Sequence, residues 1–402
     1  MAKNYKILGI VCIIAVIAVA VFYFGGTVLS GKTAEALPSP GTNEDGNQPI
    51  DSEQNLELEE PEIPEVTEPE DNRPTEKKAV KVKGIYMTGV VFNYPKFYNQ
   101  LVDLVERTEL NALVIDVKDD SGFLSGPLPV PLAEEIGTPY HKGMDDQENI
   151  LQLLEKDIFP IARIVVFKDP VLAEGRPDLA LKNKSGNIWR DRKGLAWVDP
   201  HSQDVWQYAV DVAKEAAKMG FREIQFDYVR FPTDGDVKNA VYPFATGQSK
   251  EDVILEFLEY AKAELEPYNV FISADVFGLT TLTLDDMGMG QKYEKIVTAV
   301  DYICPMVYPS HYGTGNYGFK NPNAHPYEIV NMALLDALKK SETVGAEAII
   351  RPWLQDFNLG SPKYGPEQVR AQIKATYDAG LDEWILWNAG NKYTEAALLP
   401  NE

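Results

Sequence analysis

The chain has 402 residues, of which 45% are hydrophobic, and it carries a formal net charge of −23. This acidity argues against a nucleic-acid-binding protein, because phosphate backbones are bound by basic patches and none is present. The sequence also lacks a glycine-rich phosphate loop and any metal-ligand spacing. We therefore predict no nucleotide, no metal and no other cofactor.

An uncharged segment near the amino terminus predicts a membrane span. Ile7 to Phe24 comprises 18 residues without a charge, just enough for a helix to cross about 30 Å of hydrocarbon. Lys3 and Lys6 precede the segment, which places the amino terminus in the cytoplasm and the remainder outside. We therefore predict a single-pass cell-membrane protein, with a signal-anchor in residues 1–30 that contacts the lipid bilayer through residues 7–24. A cleaved signal peptide is the alternative, and cleavage near Ala36 would make the protein secreted.

The composition of residues 31–79 predicts a disordered linker. The segment holds 14 Asp and Glu against four Lys and Arg, and it repeats Pro and Glu without a helical or strand period. Such a sequence cannot bury enough apolar surface to offset its ordering entropy. Since Pro and like charges keep the chain extended, we expect a tether in front of a folded domain at residues 80–402.

Eight short apolar segments alternate with helical patterns in that domain. The predicted strands are 83–89, 111–117, 160–167, 223–229, 270–276, 301–308, 347–354 and 383–388. The clearest helices are 203–219, 250–265, 326–340 and 366–379. Strict alternation of eight strands with helices predicts an α/β fold, a TIM (β/α)8 barrel. An open doubly wound sheet is the alternative, but the glycine-rich first turn typical of that fold is absent.

Long connections follow four of the predicted strands, at 118–146, 168–202, 230–249 and 309–325. Connections of this length in a compact domain are usually functional. All four follow carboxyl-terminal strand ends, where TIM barrels place their active sites. The sequence therefore predicts a functional site at the carboxyl-terminal ends of the barrel strands, which we call the rim.

Polar and aromatic side chains concentrate at the same strand ends. Asp227 closes the fourth strand, and Asp275 occupies the equivalent place on the fifth. A structural Asp bonded to a neighbouring loop is the alternative for Asp227, but an unpaired charge is costly to bury and the pattern recurs on several strands. The further candidates, assigned to substrate binding, are Asp116, Tyr228, Arg230, Met306, Tyr308, Arg351, Trp353, Gln355, Trp387 and Asn388.

This set of side chains suits a sugar substrate. Glycoside cleavage requires two carboxyl groups that flank the scissile bond, and aromatic faces pack against pyranose rings. Carboxylates on adjacent strands suit the spacing of about 5–5.5 Å found in retaining enzymes. Trp384, Tyr302 and Cys304 fit a buried core better than a site.

Four motifs carry a family resemblance: Phe226-Asp-Tyr-Val-Arg-Phe-Pro232, Ala274-Asp-Val-Phe-Gly278, Pro305-Met-Val-Tyr-Pro309 and Leu386-Trp-Asn388. They resemble a glycoside hydrolase family of bacterial, often exported, proteins that is grouped with the TIM-barrel glycosidases and, distantly, with the alpha-amylase-like barrels. The resemblance covers nearly all of residues 80–395. It implies a polysaccharide substrate, with Asp227 as nucleophile and Asp275 as general acid/base.

The chain departs from the alpha-amylase-like pattern at two positions. Those barrels usually have Glu where this chain has Asp275, and Arg where it has Gln225. Our expectation is a membrane-anchored extracellular glycoside hydrolase acting on a cell-wall or extracellular polysaccharide. The departure at Asp275 motivates the alternative, a non-catalytic glycan-binding barrel of the cell envelope. A structural spacer is disfavoured by the polar crowding on one rim.

Overall fold

Eight parallel strands form the centre of the structure, a computed structural model that describes residues 71–401. The strands are β1 (Lys83–Met87), β2 (Ala112–Lys118), β3 (Phe159–Val165), β4 (Glu223–Asp227), β5 (Phe271–Phe277), β6 (Tyr302–Met306), β7 (Trp353–Gln355) and β8 (Trp384–Trp387). Each of β1 to β5 pairs with the next strand, and β8 lies between β7 and β1. Trp353 of β7 pairs with Met306 of β6 and closes the ring. The predicted TIM barrel is confirmed.

The seventh strand is shorter than the predicted 347–354. A two-residue segment, Ile349–Ile350, pairs with β6 before the strand breaks and resumes at Trp353. Pro352 lies in the break. Because proline has no N–H to donate to a neighbouring strand, an interruption at this position is expected.

Ten helices surround or cap the barrel in the described part of the chain. They are α1 (Gly89–Phe92), α2 (Pro95–Arg107), α3 (Pro131–Ile136), α4 (Asp146–Glu155), α5 (Pro170–Gly175), α6 (Gln203–Met219), α7 (Lys250–Leu265), α8 (Tyr293–Ala299), α9 (Pro326–Val344) and α10 (Pro366–Asp378). The predicted helices 203–219 and 250–265 match α6 and α7. Helix α6 ends at Gly220, whose φ of 112° is readily adopted only by glycine.

Two layers of buried side chains hold the fold together. Outward-facing strand residues pack against the helices, and Trp384 belongs to this layer. Inward-facing residues fill the barrel, among them Tyr302, Cys304 and Trp353. Trp384, Tyr302 and Cys304 are therefore core residues, as predicted, because the strand period of two sends alternate side chains to these two layers.

The loops that follow β3 and β4 pair with each other at the carboxyl-terminal end of the barrel. Lys182–Asn183 and Ala240–Val241 form a short antiparallel ribbon. The indole Nε1 of Trp189 in the first loop donates to the carbonyl of Asp236 in the second at 2.9 Å. These contacts fix the loops beside the end of β4.

The structure corrects the predicted linker boundary at residue 79, because residues 71–79 pack on the amino-terminal end of the barrel. The N–H of Asn72 donates to the carbonyl of Lys218 at 2.7 Å, and Asn269 donates to the carbonyl of Pro74 at 3.1 Å. Lys77 forms an ion pair with Asp301 at 3.1 Å. Composition missed this packing because the partners come from distant parts of the chain.

The remaining predictions for the amino-terminal part concern the span at residues 7–24, the cleavage site near Ala36 and the linker at 31–70. All three lie outside the described residues. Within residues 71–401, no helix is long and apolar enough to cross a membrane.

Candidate active site

An arginine on β3 binds two carboxylates inside the barrel. Arg163 donates to Oδ2 of Asp227 through Nη2 at 2.5 Å and Nε at 3.1 Å. Its Nη1 donates to Oδ1 of Asp116 at 2.5 Å, and the hydroxyl of Tyr86 donates to the other oxygen of Asp116. Burial would lower the pKa of Arg163, but the charges of Asp116 and Asp227 outweigh burial and hold this pKa well above its usual value. The arginine therefore stays charged.

Asp275 lies in a different environment. Its side chain is 1% exposed, and Oδ1 accepts a hydrogen bond from Nε1 of Trp353 at 2.7 Å. Burial, and then the nearby charge of Asp227, raise the pKa of Asp275 well above its usual value, while Arg163 and Trp353 oppose the rise. The raised pKa means that Asp275 binds a proton more tightly than an exposed aspartate does.

The two aspartates occupy neighbouring positions on adjacent strands. Gln225 pairs with Ser273, and Phe226 pairs with Ala274, so the parallel register brings Asp227 and Asp275 side by side. Adjacent strands lie about 4.8 Å apart. Asp227 also accepts the backbone N–H of Tyr228 at 2.5 Å, a donor that stabilises a carboxylate.

Aromatic rings surround the carboxylates on the β8 side. Tyr86 stacks on Trp387 with ring centroids 4.1 Å apart, and Trp353 meets the Trp387 ring edge-on at 5.4 Å. Tyr308 belongs to the same buried cluster, and burial together with the two aspartates raises its pKa. Met306 and Trp387 are only half-buried. These rings form the kind of surface against which the apolar face of a sugar packs.

Tyr228 and Arg230 lie just beyond the end of β4. Tyr228 adopts a φ of 50°, and this left-handed conformation ends the strand at Asp227 instead of the predicted 229. The Lys168 ammonium lies 4.8 Å from the centre of the Tyr228 ring, and the Arg230 guanidinium lies 4.9 Å from it. Both predicted residues therefore lie next to Asp227.

Arg351 is not at the rim, and the structure corrects its assignment to substrate binding. Its side chain is fully buried at the amino-terminal end of the barrel. It forms ion pairs with Glu223 at 2.7 Å and with Glu383 at 2.8 Å. The predicted strand placed Arg351 near its carboxyl end, but Pro352 interrupts that strand and the rim begins only after β7.

Gln355 and Asn388 lie at the rim, but their side-chain amides form hydrogen bonds with backbone groups. Gln355 accepts the N–H of Ser310 at 3.1 Å and donates to the carbonyl of Phe357 at 3.0 Å. The amide of Asn388 donates to the carbonyls of Asp356 and Lys392. Both side chains therefore hold loops in place at the rim.

Arg163 and Tyr86 are site residues that the sequence prediction missed. Arg163 interrupts an apolar strand, which is the same signal that drew attention to Asp227. The register pairs Arg163 with Gln225, the position at which the alpha-amylase-like pattern has arginine. In this chain the guanidinium beside the strand-four aspartate therefore comes from the neighbouring strand.

Burial raises the pKa of Asp116 to about 6, against the opposing effects of Arg163 and Tyr86. Asp116 thus belongs to the site, but Arg163 and Tyr86 both bind it, and it is only 4% exposed. Its two oxygens thus accept from Arg163 and from Tyr86. Among residues 71–401, no three His, Cys, Asp or Glu side chains are arranged to hold a metal ion.

Solved structures with the same fold include glycoside hydrolases. The glycoside hydrolase domain of PgaB (BpsB) from Bordetella bronchiseptica is 12% identical, with 77% of this chain and 95% of that chain covered and a TM-score of 0.58. The chitobiase of Flavobacterium johnsoniae is 11% identical, with 79% and 47% covered and a TM-score of 0.50. At these identities the likeness shows the barrel fold alone.

A hypothetical protein from Ruminiclostridium thermocellum ATCC 27405 is more similar in sequence. It is 38% identical, with 51% of this chain and 98% of that chain covered, and its TM-score is 0.44. No curated protein matches the sequence. The family model described as "Putative glycosyl hydrolase domain" matches residues 84–393, nearly the whole barrel with its two aspartates, and the chain therefore belongs to this glycosyl hydrolase family.

Proposed function

We propose that the protein is a retaining glycoside hydrolase that acts on a cell-wall or extracellular polysaccharide. Asp227 is the nucleophile and Asp275 the general acid/base. The observation that carries this proposal is the unequal environment of two adjacent carboxyl groups. Asp227 accepts Arg163 and a backbone N–H, whereas Asp275 is buried, has a raised pKa and accepts a single neutral donor.

This inequality matches the two roles that glycoside cleavage needs. A protonated Asp275 donates its proton to the leaving-group oxygen while the Asp227 carboxylate attacks the anomeric carbon. Asp275 is then ionised and takes a proton from the water that hydrolyses the glycosyl-enzyme intermediate. Placement on adjacent strands, about 4.8 Å apart, supports the retaining mechanism over the inverting one, which requires roughly 6.5–9.5 Å between the carboxyl groups.

Arg163 has a positioning role in this scheme. It holds Asp227 from two nitrogens, and Asp116 and Tyr86 fix the guanidinium in turn. The attacking oxygen of Asp227 is therefore held in one orientation before substrate binds, which lowers the entropy cost of reaching the transition state.

The location is part of the proposal and rests on the sequence. The uncharged segment at residues 7–24 and the lysines before it support a membrane anchor with the barrel outside the cell. An external barrel has wall and extracellular polysaccharides as accessible polymers, and this is why we propose them as the substrate class.

The test is a screen of the full chain against purified wall, capsular and extracellular polysaccharides, with release of new reducing ends as the readout. For a substrate that is cleaved, NMR of the first product gives the anomeric configuration. Retention is expected. Inversion would show that Asp227 is not the nucleophile. If none of the polymers is cleaved, the alternative below is favoured.

The burial of Asp275 favours a second candidate, a glycan-binding barrel that does not cleave. A general acid must touch the leaving-group oxygen, yet Asp275 is 1% exposed. If Asp275 only anchors Trp353, the half-buried ring of Trp387 would still offer an aromatic face to a sugar. Glycan binding without release of reducing ends, under any condition tested, would identify this function.

A further inference from the structure

Arg230 lies in a box of three aromatic rings at the rim of the site. Its guanidinium carbon is 4.9 Å from the ring centre of Trp197, 4.9 Å from that of Tyr228 and 5.0 Å from that of Phe277. Tyr228 directly follows Asp227, and Phe277 ends β5. The guanidinium is therefore held between the ends of the two strands that carry the catalytic pair.

Arg230 differs from the other deeply buried arginines of residues 71–401 in having no carboxylate partner within that range. Arg163 and Arg351 each form ion pairs with two acids. Arg230 is only 8% exposed, but it makes no ion pair with any residue of 71–401. Its one hydrogen bond to the described part of the chain runs from Nη1 to the carbonyl of Phe231 at 3.1 Å.

The remaining N–H groups of Arg230 thus have no protein acceptor within residues 71–401. The carboxylates of Asp227, Asp234 and Asp191 act on the guanidinium only through space, and burial lowers its pKa from the usual value. With three rings packed around the guanidinium carbon, a ligand would bind through the N–H groups that have no protein acceptor. A guanidinium edge is the group that binds carboxylate and phosphate through paired hydrogen bonds.

We propose that Arg230 binds an anionic substituent of the glycan, a carboxylate or a phosphate on a sugar next to the scissile bond. This inference rests on the proposed function and narrows it to acidic polysaccharides. The three aromatic rings keep the guanidinium desolvated and rigid. An anionic ligand would then provide the counter-charge that no carboxylate of residues 71–401 provides.

Lys168 does not share this role. It also lies over the Tyr228 ring, at 4.8 Å, but its ammonium pairs with Asp120 at 2.6 Å. The charge of Lys168 is already neutralised by that carboxylate. Arg230 is therefore the residue whose substitution tests the proposal.

The experiment compares matched pairs of polymers that differ only in charge. One arm uses several polyuronates before and after chemical reduction of their carboxyl groups. A second arm uses phosphate-substituted polysaccharides before and after enzymatic dephosphorylation. Affinity electrophoresis of the full chain gives a dissociation constant for each polymer, and the ratio within a pair reports the preference for charge.

We expect at least one anionic polymer to bind about 10- to 100-fold more tightly than its neutral partner, because a charge-assisted, desolvated hydrogen-bonded pair contributes that much. Arg230→Gln should reduce the ratio to about 1, and Arg230→Lys should leave an intermediate ratio. If Arg230→Gln does not fold, as judged by circular dichroism, the Lys variant decides the question.

Arg222 provides the matched control. It lies just before β4, at the opposite end of the barrel. Like Arg230, it has no ion pair within residues 71–401 and a pKa lowered by burial. Arg222→Gln should keep the wild-type ratio.

The outcomes separate this inference from the proposed function. A ratio near 1 for every pair, or a ratio that survives Arg230→Gln, overturns the anionic subsite even if neutral glycans are cleaved. Binding of an anionic polymer that depends on Arg230, without release of reducing ends from any polymer, overturns the hydrolase and leaves the subsite standing.

Discussion

Each end of the barrel holds one buried arginine between two acids. The carboxyl end has one further carboxyl group, which the amino end lacks. The amino-end triad consists of Glu223, Arg351 and Glu383, and every member lies in an ion pair. The carboxyl-end triad consists of Asp116, Arg163 and Asp227. Beside the second triad lies Asp275, an additional acid that forms no ion pair within residues 71–401.

This difference separates a structural cluster from a site. In the amino-end triad, Arg351 also lies 3.8 Å from the centre of the Tyr302 ring, and Arg351 and Glu223 are both fully buried, so the cluster is closed to solvent. At the carboxyl end, the charge of Arg163 is already shared by two acids, so burial raises the pKa of Asp275. Strongly perturbed acids beside a cleft are typical of catalytic sites.

The largest expected effect comes from the carboxyl-end triad. Asp227→Asn should lower kcat by about 10³-fold or more, since the amide keeps the shape but cannot attack the sugar. The melting temperature should change little, because Arg163 keeps Asp116 as a partner. Steady-state kinetics and differential scanning calorimetry measure the two quantities. Hydrolysis at the wild-type rate would show that the nucleophile lies elsewhere.

Replacing the additional acid should produce a loss that depends on the leaving group. Asp275→Asn should reduce hydrolysis of substrates with poor leaving groups by about 10²- to 10⁴-fold, because these require protonation. Aryl glycosides with activated leaving groups should be affected far less. Kinetics on a series of aryl glycosides with increasing leaving-group pKa would give the dependence, and an equal loss for all leaving groups would contradict the acid role.

Breaking the amino-end triad should affect stability and not chemistry. Arg351→Met leaves Glu223 and Glu383 buried without their partner, which costs about 3–5 kcal/mol of unfolding free energy. The control is Arg107→Gln, whose pair with Glu395 is half-exposed and contributes less than about 1 kcal/mol. Urea unfolding measures both. A large loss of activity in folded Arg351→Met would show that Arg351 contributes to the active site and not only to stability.

Asp116 and Asp275 at the carboxyl end should contribute to the pH dependence of stability. The pKa of Asp116 is about 6 and that of Asp275 is also raised, whereas an unfolded Asp titrates near 3.9. At these two groups the folded state therefore holds more protons across this window, and their contribution to the unfolding free energy should fall as the pH rises from about 4 to above 6. Asp275→Asn should make the decline shallower; an unchanged slope would show that Asp275 does not titrate in this way.

The smallest effect concerns the segment that packs on the amino end. A chain that starts at residue 71 should unfold at the same temperature as the full chain. A chain that starts at residue 80 lacks the contacts of Asn72, Pro74 and Lys77 and should lose about 1–3 kcal/mol. Thermal unfolding of both truncations decides this point, and equal stability would restore the linker boundary at 79.

Periodicity was sufficient to predict the barrel, because its signals are local. The helices 203–219 and 250–265 have the predicted bounds, and most strands differ by one or two residues at an end. The exceptions have local backbone causes. The left-handed Tyr228 shortens β4, and Pro352 divides the seventh strand.

The site was only partly predictable for a different reason. A polar residue inside an apolar strand was visible at Asp227 and Asp275, and the same signal was present but unused at Arg163. Arg163 and Arg351 both fall in predicted apolar strands, and the only local difference is that Pro352 follows Arg351 and interrupts its strand. Their different roles depend on which end of the barrel each side chain faces.

The sequence by itself determined the fold class, the rim on which a site would lie and the two aspartates that carry the proposed chemistry. It did so because strand period, turn residues and burial cost act over a few neighbouring residues. Only the tertiary structure decided that Arg163 pairs with Asp227, that Arg351 belongs to a structural triad, and that Arg230 has no acid partner among the residues described. Ion pairs depend on distances between residues far apart in the chain, and closure of the barrel alone sets those distances.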